Sequence, residues 1–264
     1  MPATIREYHR ASSPSQALEL LQRTDTLTSA LIVGPRLPDA PYAQTDAVVD
    51  LQALTQSAIT VTSAALHIGA HATLQTLAAS APLAAVADGI LCRAAALSAH
   101  FGLRNLATVA GAIDGATATP PGPPEVLLAL LVLGARVKVI GGADGALAAY
   151  RPSRHTVLDE IIIADAGQWR GALARVARSP LDQAIVTAAA AVSPTLARVA
   201  VAGAATGPIT AEVKLDGDRQ QAAALLVSAV LAHVEPQGDY RGSAEYRRAM
   251  AEVLARRALN QAFA

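Results

Sequence analysis

The sequence predicts an α+β fold in which short strands and helices alternate along the chain. Short runs of branched apolar residues bounded by turn residues indicate strands, as in 136–140, which is followed by the hairpin-forming pair Asp144-Gly145. Elsewhere apolar residues recur at helical spacing, as in 243–261. With 264 residues, the chain has room for one large domain or two modest ones.

The composition is typical of a chain that folds, and it includes few charged residues. Hydrophobic residues make up 52% and charged residues 16%, so the chain can bury enough apolar surface to offset its ordering entropy. The 21 basic and 21 acidic residues cancel, and only 3% of residues are aromatic. These values argue against nucleic acid and anionic membranes as partners. The longest apolar run, 126–135, is about half as long as a membrane span.

The single cysteine, Cys92, excludes an internal disulfide and any multi-cysteine zinc or iron–sulfur site within this chain. The N-terminus shows no basic region followed by an apolar run, so we expect a cytoplasmic protein. Because the surface carries few charges, we also expect a permanent partner, for which a second copy of the chain is one candidate.

The first half of the chain predicts a small α/β unit followed by a hairpin. Ser13 and Pro14 are typical of a helix start, and strands are predicted at 30–33 and 48–51, which places this unit within residues 1–55. After this unit, the segments 59–61 and 65–69 predict a hairpin, and a helix is predicted after Thr73. Residues 82–101 have a mainly helical pattern that begins at Pro82.

The second half begins after a proline-rich connection, 117–124. We predict a helix at 125–133, strands at 136–140, 146–149 and 161–164, and a boundary within 165–180. Beyond it we predict a strand or helix at 184–192, a strand at 198–202 and helices at 219–234 and 243–261. The last helix has an apolar face of Tyr246, Met250, Val253, Leu254 and Ala258.

Three features suggest chemistry, and each has a simpler explanation. His67 and His71 have the spacing of a helical zinc pair, but the residues between them indicate the end of a strand, so we do not expect a metal site. The cluster 141–145 could cradle a phosphate, but a strand follows it and a hairpin turn explains it better. The last helix has a basic face that consists of Arg247, Arg248, Arg256 and Arg257. Such a face is either exposed to solvent or in contact with another subunit.

Sequence elements in a constant order resemble one family over nearly the whole chain. They include Ile68-Gly69-Ala70 with Thr73, Arg104-Asn105 with Thr108-Val109 and Gly111, Ser179-Pro180-Leu181-Asp182, and the segment 239–248, Asp-Tyr-Arg-Gly-Ser-Ala-Glu-Tyr-Arg-Arg. The chain resembles the medium, FAD-binding subunit of the molybdenum hydroxylases, the carbon monoxide dehydrogenase and xanthine dehydrogenase group. No single motif carries the resemblance; the ordered set does.

The resemblance implies a PCMH-like FAD-binding region in residues 1–168, with subdomains of about 1–55 and 56–168, and a C-terminal α+β domain in 169–264. It implies an oxidoreductase subunit that passes electrons through FAD and does not itself act on the organic substrate. It also implies a molybdenum-cofactor large subunit and an iron–sulfur small subunit as partners. The cofactor contacts fall in two loops, at Val33, Gly34, Pro35, Arg36 and Leu37 and at Arg104, Asn105, Thr108, Val109, Ala110, Gly111 and Ala112.

Both loops depart from the glycine-rich pattern of the family. Pro35 replaces a glycine and has no N–H to donate to a phosphate. Ala110 stands where glycine is usual, and Ala112 replaces a polar residue. Arg36 could compensate as a direct phosphate ligand. Two further interpretations follow: a homologue that has lost FAD and serves as a structural or assembly partner, and a flavoenzyme that works without other subunits.

Overall fold

A computed structural model describes residues 5–30, 45–51, 53–54, 57–114, 125–153, 156–179 and 182–264. Within these ranges the strands form three sheets, of three, five and four strands. Each sheet packs against helices, and the predicted α+β class is confirmed. No helix in the described ranges has the length and apolar character needed to cross a membrane.

The first sheet is parallel and lies at the start of the chain. Its strands are β1 (Glu7–Arg10), β2 (Thr28–Ala30) and β3 (Ala47–Asp50), arranged in the order β1-β3-β2 beside helix α1 (Pro14–Leu21). Helix α1 begins as predicted, because the Ser13 side chain accepts a hydrogen bond from the Gln16 amide and Pro14 fills the first helical position. Most of the first predicted strand, 31–33, lies outside the described residues.

The second sheet is antiparallel, in the order β4-β5-β8-β6-β7. Its strands are β4 (Ile59–Val61), β5 (Ala65–Gly69), β6 (Arg136–Ile140), β7 (Gly145–Ala146) and β8 (Val157–Ala164). Both predicted hairpins are present, although the second is shorter because residues Leu147–Ala149 form a 3-10 turn where a strand was predicted. The two sheets meet at the start of β8, where Val157 packs into the small core of the first unit.

Six helices pack with the second sheet and form the largest core. They are α2 (Leu74–Ala78), α3 (Ala81–Ala84), α4 (Ile90–Ser98), α5 (Phe101–Arg104), α6 (Val109–Asp114) and α7 (Glu125–Val132). Thr73 caps α2, as expected, by accepting from the Thr76 amide at 3.0 Å.

The third sheet is antiparallel, in the order β12-β11-β10-β9, and carries the last two helices. The elements are β9 (Arg170–Val176), β10 (Val186–Val192), β11 (Leu196–Ala202), β12 (Ile209–Lys214), α8 (Arg219–Leu231) and α9 (Ala244–Phe263). The stretch 165–180, where a boundary was predicted, contains β9, a strand that the sequence pattern did not predict. Its pattern Arg-Gly-Ala-Leu-Ala-Arg-Val has little branched apolar character, and sheet pairing with β10 decides its conformation.

Alanine allows this sheet to be covered on both faces. Side chains along a strand alternate between faces, so Ala189 and Ala191 of β10 pack into the large core with α7, while Ala188 and Ala190 pack against α9. Every residue of β10 is buried. The alanine-rich composition therefore serves a sheet that lies between two helical layers.

A buried ion pair also links the two halves of the chain. Glu125 at the start of α7 is 3% exposed and lies 3.1 Å from the Arg175 guanidinium of β9. Since a buried charge without its partner is strongly destabilising, this pair favours a fixed arrangement of α7 on the third sheet.

Candidate functional site

The structure brings together two of the segments that carry the resemblance. The turn after β5 runs beside the start of α6, where the Val109 amide donates to Ala72 O at 3.0 Å and the Ala110 amide donates to Ala70 O at 2.8 Å. Thr73 and Thr108 form an isolated β-bridge at the same place. The Ile-Gly-Ala-x-x-Thr element thus holds the predicted second loop in position.

The amides of this second loop are engaged within the chain. In addition to the bonds of Val109 and Ala110, the Gly111 amide donates to the Thr108 hydroxyl at 3.1 Å, and the Ala112 amide donates to Thr108 O at 2.9 Å. Thr108 is therefore the N-cap of α6. Its hydroxyl accepts the Gly111 amide and so fixes the start of this helix.

Arg104 and Asn105 stabilise the approach to that loop. The Arg104 guanidinium donates to Ala96 O and Ala99 O, both at 2.8 Å, and so satisfies carbonyl groups at the end of α4. Arg104 Nε also donates to the Gln75 side chain of α2 at 3.1 Å. Asn105 donates from its side chain to Phe101 O at 2.8 Å. In this structure both residues act on the protein around the loop, which is a positioning role.

The other side of the site is the carboxyl edge of the parallel sheet. Ala30, the last residue of β2, pairs with Val49, and Asp50 ends β3 at the same edge. Asp50 is 5% exposed and accepts a 2.6 Å hydrogen bond from the Tyr8 hydroxyl. Ligands of open parallel sheets bind outside the carboxyl ends of the strands, so this edge is a suitable wall for a site. The predicted first loop, Val33, Gly34, Pro35, Arg36 and Leu37, lies outside the described residues.

His71 lies where these two sides meet. It follows Ala70 in the turn that binds α6, and the charge of Asp50 acts on its imidazole. Burial lowers the pKa of His71, and Asp50 opposes that shift. The Nε2 atom is buried and has no hydrogen-bond partner among the described residues. A buried nitrogen without a partner, in the turn that contacts α6, suits a polar ligand, and in this respect the residues fit FAD.

A second buried acid ends the same helix. Burial raises the pKa of Asp114 to about 6, and a hydrogen bond with Tyr150 opposes the shift. The pKa of Tyr150 is in turn raised by its burial and by Asp114. This pair joins the end of α6 to the segment after β7, and sequence reasoning missed it because a lone Asp after an apolar run gives no signal of its partner.

The two histidines lie on a strand and in the turn that follows it, and not on one helix face. His67 lies on β5 and contacts Glu160 of β8 at 3.0 Å, and Glu160 also pairs with Lys138 at 2.6 Å. No group of three or more metal-ligating side chains occurs in the described part of the chain. The cluster 141–145 follows β6 and leads into β7, which confirms the hairpin interpretation.

The segment 239–248 has an architectural role. Asp239 accepts hydrogen bonds from Arg241 at 2.8 and 2.9 Å and from Arg247 at 2.7 Å. Partial desolvation acts to raise the pKa of Asp239, but the two guanidinium groups outweigh it and hold that pKa well below its usual range. Arg247 also donates to Ile185 O at 2.7 Å and Gly203 O at 3.0 Å, which joins α9 to the ends of β10 and β11.

Two expectations about α9 were wrong. Arg247 is 5% exposed and belongs to the interior, so the basic face consists of Arg248, Arg256 and Arg257 alone. Tyr246 and Val253 are 40% and 42% exposed, because the buried face of α9 is rotated from the predicted one. The buried residues are Arg247, Ala251, Leu254, Ala255, Ala258, Leu259 and Ala262.

Two family models match the chain. Residues 3–148 match the FAD binding domain in molybdopterin dehydrogenase, and residues 172–262 match the CO dehydrogenase flavoprotein C-terminal domain. The chain therefore belongs to the family of FAD-binding domains of molybdopterin dehydrogenases, and its C-terminal part is of the CO dehydrogenase flavoprotein type. A comparison with curated proteins found no match.

Solved structures share the fold over nearly the whole chain. Reconstituted CO dehydrogenase from Oligotropha carboxidovorans is 24% identical with a TM-score of 0.81, covering 99% of this chain and 98% of that one. Carbon monoxide dehydrogenase from Hydrogenophaga pseudoflava is 24% identical with a TM-score of 0.82 and coverages of 100% and 98%. Quinoline 2-oxidoreductase from Pseudomonas putida 86 is 20% identical with a TM-score of 0.78 and coverages of 99% and 98%.

Proposed function

We propose that this chain is the FAD-binding, electron-transfer subunit of a molybdenum hydroxylase-type oxidoreductase. The observation that carries the proposal is the match of residues 3–148, more than half of the chain, to the FAD binding domain of that family. FAD supplies the redox chemistry when bound, and the protein supplies its position and electrostatic environment. The interpretation as a homologue that has lost FAD is not favoured by this match.

The residues proposed to hold FAD come from both loops. They are Val33, Gly34, Pro35, Arg36, Leu37, Arg104, Asn105, Thr108, Val109, Ala110, Gly111 and Ala112. Within the second loop we assign direct contact to the Thr108 hydroxyl and close backbone approach to Gly111, because neither group brings a bulky side chain to the ligand. Arg104 and Asn105 support the loop through their bonds to α4, α2 and α5.

FAD titration of the purified protein tests the proposal. We expect the visible absorption of a flavin in the isolated protein, or saturable binding when FAD is added to a colourless preparation. Thr108→Ala is expected to weaken binding by about tenfold, the usual effect of losing one hydrogen bond to a charged group, whereas Thr108→Ser keeps the hydroxyl and serves as the control. The absence of binding at high micromolar FAD would overturn the proposal.

We further propose a molybdenum-cofactor large subunit and an iron–sulfur small subunit as partners. The support is chemical: the chain has one cysteine and so holds no iron–sulfur cluster of its own, while an electron-transfer flavin needs a donor. Affinity purification under native conditions is expected to recover both subunits, and recovery of the chain without either would count against this assignment. A flavoenzyme working alone would instead oxidise a small reductant without them.

We also keep the division into 1–55, 56–168 and 169–264 as a proposal. It is supported by the three sheets, since the strands of each fall within one of these ranges. Hydrogen exchange measured by mass spectrometry is expected to show similar protection of the backbone amides within one sheet and different protection from one sheet to the next. A cytoplasmic location and a homo-oligomer are likewise proposed; cell fractionation and light scattering test them.

A further inference from the structure

The outer side of α9 carries an exposed stripe that has no part in the proposed cofactor site. Tyr246, Ala249 and Val253 lie on successive turns of the helix and are exposed, while the opposite side packs against the third sheet. Residues three and four positions apart lie on the same side of a helix, so these side chains form one continuous stripe. Large and small side chains alternate along it, which suits the packing of one helix on another.

The charges beside this stripe are divided between the two halves of the helix. Glu245 lies in the first turn, where it interacts with the Ser243 side chain but forms no ion pair among the described residues. Arg256 pairs with Glu252 at 2.9 Å. Arg257 forms neither a hydrogen bond nor an ion pair within the described part of the chain. One end of α9 thus presents a carboxylate without a basic partner and the other a guanidinium without an acidic one.

The shape of this surface is divided in the same way. The second half of the helix has a shallow open groove, lined by Val253, Arg256, Arg257, Asn260, Gln261 and Ala264. The first half has the projecting ring of Tyr246, which lies so close to Gly242 that a Cβ added there would be 3.1 Å from the ring. A projecting ring and a groove on one helix complement each other when a second copy of the helix runs in the opposite direction.

An antiparallel second copy also brings opposite charges together. When the two helices cross midway between Ala249 and Val253, each of these residues faces the other one in the second copy. By the same register Glu245 faces Arg257 of the second copy, and this contact forms twice. A parallel copy would instead place the basic ends of the two helices side by side, where like charges repel.

We propose that the outer side of α9 is a self-association surface, on which a second copy of this chain packs antiparallel about a two-fold axis. The proposal rests on the homo-oligomer proposed above, gives it a surface, and is independent of FAD. The two Glu245–Arg257 contacts set the direction of packing. Tyr246 lies opposite the Arg256 guanidinium of the second copy, where its ring can make a cation–π contact.

The size of the surface sets the expected strength. Helix α9 has 20 residues, so it is about 30 Å long, and a strip about 10 Å wide covers about 300 Å². A standard interface buries about 800 Å² on each partner. We therefore expect a weak dimer with a Kd on the order of micromolar, which dissociates on dilution and weakens as salt screens the charged contacts.

Charge reversal in the full-length protein tests the proposal. Glu245→Arg alone and Arg257→Glu alone each turn both contacts into repulsions, and each should weaken the dimer by about tenfold or more. An equimolar mixture of the two variants should recover dimerisation, because both contacts of the mixed dimer then join opposite charges. Arg136→Glu, which makes the same charge change at an exposed position of β6, should leave the dimer unchanged. Sedimentation velocity between about 1 and 100 μM protein measures all four samples.

The possible outcomes separate this surface from the other proposals. A wild-type protein that stays monomeric at every concentration overturns both the homo-oligomer and the surface, whereas FAD binding is measured independently of either. If the wild-type protein dimerises but Arg257→Glu dissociates no more than Arg136→Glu, or if the mixture does not recover, the homo-oligomer stands and the surface is wrong. Loss of another subunit from the native complex of Arg257→Glu, with its dimer intact, would assign the surface to that subunit instead.

A cross-linking experiment decides the matter if either charge variant does not fold. Val253→Cys, combined with Cys92→Ala, places a thiol close to the two-fold axis, and a bifunctional thiol reagent should give a covalent dimer. Leu225→Cys in the same background is the control, because Leu225 is equally exposed on α8 but lies off the proposed surface. Equal cross-linking of both variants, or none at position 253, would overturn the proposal.

Discussion

Replacing Arg247 by Met tests whether the hydrogen bonds of the segment 239–248 stabilise the packing of α9 on the third sheet. The side chain is 5% exposed, and its guanidinium makes hydrogen bonds of 2.7 Å to Ile185 O, 3.0 Å to Gly203 O and 2.7 Å to Asp239. Methionine has a similar length but none of the donors. The substitution therefore leaves two strand-end carbonyls and a carboxylate with fewer partners while it keeps most of the packing.

The expected cost follows from these contacts. Removing one partner of a buried ion pair costs about 3–5 kcal/mol, and the lower end applies because Asp239 keeps Arg241 and is partly accessible to water. About 3 kcal/mol corresponds to a fall in Tm on the order of 5 to 10 °C for a chain of this size.

Arg248→Met provides the comparison for this experiment. Arg248 is exposed and makes one 2.7 Å bond to Val234 O, so its loss should cost about 1 kcal/mol or less. Urea unfolding followed by circular dichroism measures both variants. If Arg247→Met and Arg248→Met are equally stable, the hydrogen bonds of Arg247 do not stabilise the fold as argued.

Three further substitutions probe other parts of the structure. Gly203→Ala should cost about 2 kcal/mol or more, because the residue has φ +86° and an added Cβ would overlap Ile185 O, whereas Gly145→Ala meets open space and should have little effect in the same urea assay. Ala189→Leu should cost about 1–3 kcal/mol in the unfolding free energy, since its side chain is fully buried between β10 and α7; a variant as stable as the wild type would contradict this packing. Asp114→Asn removes a carboxyl whose pKa is raised to about 6, so the wild-type protein should become less stable relative to the variant as the pH rises from roughly 4 to 6. Urea midpoints of the two proteins that run parallel across that range would exclude this coupling.

Local chemistry predicted the elements whose ends depend on neighbouring residues in the chain. The caps Ser13 and Thr73 start α1 and α2 as expected, and Asp144 ends the turn from β6 into β7, which begins at Gly145. Each of these features is decided by hydrogen bonds or backbone preferences over three or four residues, so the sequence pattern was sufficient.

Elements that depend on distant partners were predicted less well. Strand β9 has a weak pattern of its own and is formed by pairing with β10. The face that α9 buries is decided by where the third sheet lies, and Arg247 enters the interior because Ile185 O and Gly203 O, 62 and 44 residues away, accept its hydrogen bonds. A periodic pattern that treats every arginine as a surface residue cannot predict that Arg247 is buried.

The sequence by itself determined the α+β class, the family and the segments expected to contact FAD, because these follow from local patterns and from motifs in a constant order. Only the tertiary structure showed that the Nε2 atom of His71 is buried and that the charge of Asp50 acts on its imidazole. It alone showed that the amides of the second loop are engaged within the chain and that the abundant alanine packs one sheet between two helical layers. Burial and pairing between residues far apart in the chain are set by how the sheets and helices assemble, and no stretch of sequence carries that information alone.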